Sequence, residues 1–338
     1  MPSTPTLPGG KRPTLADVAA RAGVSTALVS IAMRGAKGVS AATREHILAA
    51  AQEIGYRPDA RARLLRSRRS RLLGVQFGLQ QPFHADLVEC LYAVAEPAGY
   101  QIALSAVAAS RSEQRAIEGL LADRCEALIL LGPQAPAARL EKLAAQLPVI
   151  SVARRVPPSA PGVDVVRTAD DDGARQAVDY LVSLGHRGIA HIDGGQAPGA
   201  ADRRRGYHTA MRRHGLVGQV LPGGLTEEDG AAAARTLRAA DPRPTAVLAF
   251  NDRCAAGVLD AFLRSGLDVP GQISVVGFDD SHLARLAHIN LTTVGQDIPR
   301  LADLAVVRAL ARLEGQPMPG RETVIAPQLV IRGTTAPP

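Results

Sequence analysis

The chain has 338 residues, with 39 Lys+Arg against 32 Asp+Glu, three Cys and no Trp. That length has room for two or three domains with substantial cores. Cys90, Cys125 and Cys254 are far apart, odd in number and outside any CxxC. This excludes a disulfide framework and speaks against a thiolate metal site, so they read as small buried residues in a reducing cytoplasm. No apolar run approaches the length of a membrane span. Residues 1–12, rich in Pro, Ser, Thr and Gly at the start, lack the apolar stretch of a signal peptide and read as a disordered tail. There is no phosphate-binding P-loop and no dinucleotide glycine fingerprint, and no cofactor is expected.

The positive charge is local. Residues 1–71 hold 13 Lys+Arg against 4 Asp+Glu, leaving 26 against 28 for the rest. Such a field is the footprint of a polyanionic partner. A solvated basic arm is the competing reading of a charge run, but this run carries an ordered helical pattern. Thr14-Leu15-Ala16-Asp17 opens a helix with a hydroxyl cap and a carboxylate three residues on. Leu15, Val18 and Ala19 share a face, and Gly23 ends the helix. Ser25 caps a second helix to about residue 34, with Leu28 and Val29 inward and Thr26, Ala27, Ser30 and Ile31 outward or on the flanks. Ser40 or Thr43 opens a third, with Ile47, Leu48, Ala51 and Ile54 as its stripe and Gly55 as its stop. Three short helices with a glycine turn between the first two form the helix-turn-helix plan.

Thr14-Leu15-Ala16-Asp17-Val18-Ala19, Ala22-Gly23-Val24-Ser25, Val29-Ser30, Val39-Ser40, Thr43-Arg44 and Gly55-Tyr56-Arg57-Pro58 together resemble the LacI/GalR family of bacterial transcription regulators. The resemblance continues to about Arg332. A lone helix-turn-helix would be a weak signal; so many fixed residue types over some 50 positions of this sequence make a specific one.

The second helix is expected in the major groove, its N-terminal residues nearest the base edges. Thr26, Ala27 and Ile31 then stand at readout positions. Where Ile31 stands, family members often carry Arg or another polar residue. Ile31 can touch a thymine methyl, as can Ala27, or pack inside the domain. Readout then shifts to Thr26, Ser30 or Arg34, a position where many members carry Asn. Ser25, Ser40 and Arg44 are expected at phosphates, with pure helix capping as the alternative for Ser25, and Thr14 is counted among the DNA-binding residues. Residues 58–71 form a basic joint of about two helical turns, marginal alone in water. The resemblance implies a hinge helix that orders when two copies pack in the minor groove, with Arg63 beside the DNA and Leu65 wedged between central base pairs.

From Leu72 onward, short apolar strands alternate with amphipathic helices, which means parallel sheet covered on both faces. Strands are expected at 72–79, 101–107, 127–131 and 149–152, with helices at 86–98, 112–123 and 137–147. A second round has helices at 173–184, 203–215, 227–240 and 253–265, with strands at 189–193, 246–249 and 273–278. The fold class is α/β: a three-helix helix-turn-helix head (13–57), a hinge (58–71) and a periplasmic-binding-protein-like core of two doubly wound subdomains (72–338). The resemblance implies a crossing back near Val294. One subdomain then comprises 72–166 and 296–323, the other 167–295 and 324–338.

Ligands of open α/β sheets bind at the carboxyl ends of strands. Phe83 and His84 follow the first strand. Arg203 opens a helix after Asp193-Gly194-Gly195, Asn251 follows the 246–249 strand, Asp279 follows Phe278, and Gln296 lies at the crossing. These match effector-holding positions of the family and suit a polyol, with Phe83 available to stack on a ring. Bland readings stand beside them: Asp279-Asp280 as a loop cap, Arg203 as one solvated member of Arg203-Arg204-Arg205, and His84 as a packing residue. His186 reads as structural. Asp170-Asp171-Asp172 suggests a metal, but it stands at a helix start, where carboxylates favour the dipole. No metal ligands and no catalytic set are assigned. A periplasmic binding protein would need an export signal and has no use for residues 14–71; an enzyme acting on nucleic acid would need a catalytic constellation.

The expectation is a cytoplasmic, homodimeric, operator-binding regulator, a repressor gated by a sugar or sugar derivative, with no membrane partner. A non-sugar effector, a protein co-regulator or an activator role are the alternatives. Leu65→Ala should retain non-specific DNA binding and lose operator discrimination. Equal operator affinity and equal DNA bending in the mutant, measured by anisotropy and gel mobility, would remove the wedge.

Overall fold

In the computed structural model, residues 13–33, 35–36, 38–56 and 69–338 are described. They fall into two units divided at Ser70/Arg71. Arg34, Arg63 and Leu65 lie outside the described residues, as does most of the expected hinge.

In the first unit, α1 (Leu15–Ala22), α2 (Thr26–Met33) and α3 (Ala41–Glu53) are set by local chemistry. Thr14 and Asp17 form a reciprocal capping box: the Thr14 hydroxyl accepts from Asp17 N at 3.4 Å, and Thr14 N donates to the Asp17 carboxylate at 2.7 Å. Bonds from Thr14 hold the exposed Asp17 carboxyl below its ordinary pKa. Gly23 takes φ 66°, the left-handed conformation that an L side chain adopts only at a cost. The chain bends by 104° between α1 and α2, within the ~90–120° of helix-turn-helix pairs. Val18, Val29 and Ile47 are fully buried at the centre of the three helices, with Leu28 packed alongside.

The second unit contains two six-stranded sheets. The first has the order β11-β5-β4-β3-β1-β2, from β1 (Leu72–Gly78), β2 (Gln101–Val107), β3 (Ala127–Leu131), β4 (Val149–Val152), β5 (Val163–Thr168) and β11 (Glu322–Ile325). Its pairings are parallel throughout. The second has the order β12-β10-β9-β8-β6-β7, from β6 (Ile189–Asp193), β7 (Gln219–Pro222), β8 (Ala246–Leu248), β9 (Ser274–Asp279), β10 (Thr292–Gly295) and β12 (Gln328–Val330). Here only β12 runs antiparallel, against β10.

Alternation along the strands feeds two apolar layers per sheet. In β3, Ala127, Ile129 and Leu131 face a layer closed by α4 (Pro82–Ala95) and α11 (Ile298–Leu313). Leu128 and Leu130 face one closed by α5 (Glu113–Ala122) and α6 (Ala137–Ala144). In the second sheet, Val247 and Val275 face α9 (Glu227–Arg238) and α10 (Asp252–Arg264). Leu248, Val276 and Phe278 face α7 (Asp170–Ser183) and α8 (Ala200–Arg213). The chain crosses between sheets after β5, returns after β10 so that α11 covers the first sheet, and crosses again from β11 to β12.

The Glu322–Ile325 strand was not expected, and three further features depart from the sequence reading. The Val163–Thr168 strand was not expected, because Asp164 and Arg167 break its apolar run. Both are buried and paired, Asp164 with Arg312 at 2.8 Å and Arg167 with Glu322 at 2.5 Å. The edge strand Gln219–Pro222 was also missed, being short, half exposed and ended by Pro. And α4 begins at Pro82 instead of residue 86, Pro serving as a first-turn residue without a needed N–H. Among the described residues, no single helix is long and apolar enough to cross a membrane.

Helices α9 and α10 approach almost backbone to backbone. A Cβ on Gly257 would fall well inside van der Waals contact of Glu227 O, and one on Gly230 would do the same against Cys254 O. Alanine at 257 gains up to ~1 kcal/mol of helix propensity, but backbone cannot yield as a side-chain tip does, so overpacking should outweigh it. Gly257→Ala should therefore lower stability by about 1–3 kcal/mol, read as a lower urea midpoint at unchanged slope; an unchanged or higher midpoint would refute the close approach.

Candidate DNA-reading head and ligand cleft

In the head, Thr26 and Ala27 are exposed on the first turn of α2, with Ser30 and Ile31 half-buried further along. Ile31 is half-buried and lies outside the apolar core formed by the described residues. Ser25 caps α2, its hydroxyl accepting from Leu28 N at 3.2 Å. Ser40 caps α3 through Thr43 N at 3.2 Å. Arg44 is less free than the sequence suggests: its Nη2 donates to Ala36 O at 2.6 Å, and its Nε is buried without a partner among the described residues. Ser25, Thr26 and Ala27 are thus exposed at the turn and first turn of α2, and Ser40 is exposed at the start of α3.

In the second unit, a cavity of about 280 Å³ lies between the two sheets. Phe83, His84, Arg203, Asn251, Asp279 and Gln296 all line it. It sits where each sheet's order reverses, beside β1 and β3 on one side and β6 and β8 on the other, the expected place for a ligand of an open α/β sheet. Sequence reading missed Gln76, Gln81, Glu113 and Gln134, which line it too. Gln76 carried a signal, as a polar residue inside the apolar Leu72–Gly78 run; the others carried none.

Arg203 is the organising group. It is 6% exposed. Its Nε donates to Asp170 at 2.8 Å, Nη1 to Phe250 O at 2.7 Å and Nη2 to Asp279 Oδ1 at 3.4 Å. The guanidinium lies over Phe278, 3.6 Å from the ring centroid, and near Phe250 at 4.7 Å. It is not a solvated surface arginine. Gln296 Nε2 donates to the same Asp279 Oδ1 at 2.7 Å. Asp279 and Asp280 have φ of 119° and 50°; this strain is held by Arg203 and Gln296 on Asp279 and by Arg332, 2.6 Å from Asp280. Asn251 caps α10, its Oδ1 accepting from Cys254 N at 2.8 Å, while Nδ2 reaches Leu225 O only at 3.4 Å.

His84 accepts from Gly78 N at 2.9 Å through Nδ1, so the neutral ring carries its proton on Nε2. Burial lowers its pKa to about 4. Phe83 is 5% exposed and belongs to the apolar layer under β1, so it presents little of its surface to the cavity. His186 is structural: its ring meets Thr245, Ser274 and Ala336 O at 2.9, 3.1 and 2.9 Å, tying the chain end to the second sheet.

The acidic triplet divides three ways. Asp170 pairs with Arg203, Asp171 with Arg205 and Asp172 with Arg175. Among the described residues no group of His, Cys, Asp or Glu is placed to hold a metal ion. The buried Cys125 and Cys254 thiols are pushed up to about 12, mainly by burial; Cys90 is only half-buried.

Polar contacts also bridge the two halves around the cavity. Arg253 Nη1 donates to Gln80 O at 2.9 Å. Asp86 on α4 accepts from His282 N at 2.8 Å and meets His282 Nδ1 at 3.0 Å. Arg155 lies 3.8 Å from Asp202.

Behind Asp279, Asp252 is buried. It accepts from Ser281 N at 2.8 Å, Ser281 Oγ at 2.9 Å and Thr293 Oγ1 at 2.5 Å. Burial, then the charge of Asp279, pushes Asp252 up to about 8; burial outweighs Arg203 and Gln296 to hold Asp279 at about 6. A carboxyl whose folded pKa lies above its unfolded 3.8 favours folding while protonated and loses that stability as pH rises through the folded value. Stability should therefore fall from about pH 4, where the unfolded carboxyl ionises, to about pH 8, where Asp252 ionises in the folded protein. Asp252→Asn should flatten that fall in thermal melts across the range; an identical pH profile in the mutant would show that Asp252 does not titrate there.

Residues 14–59 match the model of the bacterial regulatory proteins of the lacI family, and residues 178–335 match a periplasmic binding protein-like domain. The HTH-type transcriptional regulator GalR of Escherichia coli (strain K12) is 32% identical over 333 residues, covering 96% of each chain. A crystal structure of the lac repressor dimer bound to operator and the anti-inducer ONPF is 32% identical, with a TM-score of 0.81 over 96% of this chain and 100% of that one. A complex of the transcriptional regulator CelR with cellobiose is 29% identical, with a TM-score of 0.69 over 96% and 100%. A helix-turn-helix head and a two-sheet core with a polar cavity at both switch points agree with these matches: the chain belongs to the LacI family of DNA-binding transcription regulators.

Proposed function

We propose that the chain is a repressor that binds a pseudopalindromic operator as a homodimer and is released from it, or recruited to it, by a carbohydrate in the cavity. The carrying observation is the convergence of six residues on one cavity from both sheets and the crossover: Phe83 and His84, Arg203, Asn251 and Asp279, and Gln296. The operator-bound lac repressor dimer and the cellobiose-bound CelR support the dimer, the operator and the ligand class. In this reading residues 13–57 read DNA with Thr26, Ala27, Ser30, Ile31 and Arg34 toward bases. Ser25, Ser40 and Arg44 are at phosphates, Thr14 is a further DNA-binding residue, and residues 58–71, with Arg63 and Leu65, form the hinge in the minor groove.

The physical basis is differential contact. A ligand that bonds both walls favours the closed cleft, and closure shifts the point at which each core joins its hinge. A marginal two-turn helix amplifies a small shift into order or disorder. Effector and operator must then change each other's affinity by the same factor. The protein works where its DNA is, in the cytoplasm.

Selection of the full-length protein on a random duplex library should enrich inverted repeats with half-sites about one turn apart, ~10 bp. Two chains should bind each duplex, with an affinity that falls steeply with salt. Sugars that stabilise the protein should alter that affinity in the wild type and not in Asp279→Asn. One chain per duplex, or no enriched repeat, would defeat the dimeric-operator reading.

A further inference from the structure

We propose that the cavity selects against anions, so that the effector is a neutral or amino sugar and phosphorylated or carboxylated sugars are rejected. This rests on the reading of the cavity as a carbohydrate site and names the charge class it takes.

The charges that line the cavity are Glu113, Arg203 and Asp279, with His84 neutral. Arg203 is the only cation among them, and each of its three nitrogens already donates one bond to the protein, to Asp170, Phe250 O and Asp279, under two aromatic rings. Freeing it for a phosphate would strip two buried carboxylates of their partner, a loss that a new ion pair has first to match. Arg154 is close enough to sense Glu113, but it does not line the cavity and its Nη1 is bonded to Pro133 O.

The uncommitted groups complete the argument. Gln76 is 3% exposed and its Oε1 has no partner among the described residues. It is an acceptor in need of a donor, as buried polar groups are. Asp279 takes both of its side-chain bonds through Oδ1, which leaves Oδ2 to accept. Beyond the second N–H of Arg203 Nη1 and of Nη2, the side-chain donors that line the cavity are neutral: His84 Nε2, the weakly engaged Asn251 Nδ2 and the amides of the lining glutamines. Hydroxyl and ammonium groups can donate to Gln76 and Asp279; a phosphate dianion or a carboxylate offers acceptors alone. Like charge against like in such a site is strongly disfavoured.

The test is titration calorimetry with thermal shift on the full-length protein, using sets that share one skeleton. Suitable sets are D-glucose, D-glucosamine, glucose 6-phosphate and glucuronate; D-galactose, D-galactosamine, galactose 6-phosphate and galacturonate; and D-ribose with ribose 5-phosphate. In any set that binds, the neutral or amino member should bind about tenfold or more tightly than its anionic partners. Asp279→Asn should narrow that gap, and Gln76→Leu should weaken the neutral member. A phosphate or uronate that binds more tightly than its neutral parent, and is lost in Gln76→Leu, overturns the charge selection while leaving the cavity as the site. A neutral binder indifferent to both substitutions overturns the cavity as the site, and silence across the whole panel overturns the carbohydrate reading and this inference with it.

Discussion

The guanidinium of Arg203 is the constraint around which the second half of the core is arranged. One buried cation joins the first residue of α7, the Phe250 carbonyl in the loop after β8 and the strained carboxylate at the end of β9. Taking that charge out of water costs several kcal/mol, which only close, well-shaped pairing offsets. The backbone around it is built to let the pairs form. Gly199 has φ 81°, and a Cβ there would lie 2.9 Å from Asp170 Oδ1. At Gly206 any side chain would collide with Asp171 O. Both glycines let α8 lie close against the start of α7, and that approach is what brings Arg203 within reach of Asp170. Asp279 keeps its unusual backbone because two donors, Arg203 and Gln296, hold its carboxylate in place.

Repetition of one sheet order explains why the ligand site is two-sided. Setting aside β11 and β12, the orders β5-β4-β3-β1-β2 and β10-β9-β8-β6-β7 are the same path traced twice. Each copy offers one switch point, and the cavity is lined from both. The bridges around it, Arg253 to Gln80 O, Asp86 to His282 and Arg155 to Asp202, are polar and largely at the surface. Contacts of that kind contribute little each, whereas the apolar layers on the sheets are fully buried. The sheets are therefore the stiff parts, and the opening between them is the soft coordinate.

What was legible in the sequence follows from the range of each interaction. The head is written in local signals: a capping box at Thr14, a left-handed glycine at Gly23 and Val18 and Val29 at helical spacing. Strands such as Ala127–Leu131 were legible because all their residues are apolar and buried. The Val163–Thr168 strand was not, because Asp164 and Arg167 find their partners more than a hundred residues away. The strand-end rule placed Arg203, Asn251 and Asp279 correctly at the cavity, yet gave no hint that Arg203 is caged or that Asn251 spends its carbonyl on a helix cap. Phe83 was assigned a face to stack on, and core packing has taken most of its surface. Asp252, whose carboxyl burial and Asp279 push up to about 8, looked like an ordinary helix-start residue, since nothing local shows that Asp279 and a buried loop lie over it.

The division of free hydrogen-bonding groups between the walls bears on how strongly a ligand can act. Gln76 Oε1 belongs to β1 of the first sheet, and Asp279 Oδ2 to β9 of the second. A ligand hydroxyl held by only one of them binds an open and a closed cleft equally, and equal affinity shifts nothing. A ligand that donates to both gains the second bond only on closure. One such bond is worth ~0.5–1.5 kcal/mol net between neutral groups and ~1.5–3 kcal/mol to a carboxylate. Gained on closure, the bond to the carboxylate alone corresponds to roughly a ten- to hundredfold preference for the closed form, the scale of a typical allosteric coupling. Caging Arg203 contributes to this in an indirect way. By fixing Asp279 Oδ1 it aims Oδ2, so that the carboxylate is oriented before the ligand arrives and the bond energy goes into closing the cleft instead of ordering the side chain.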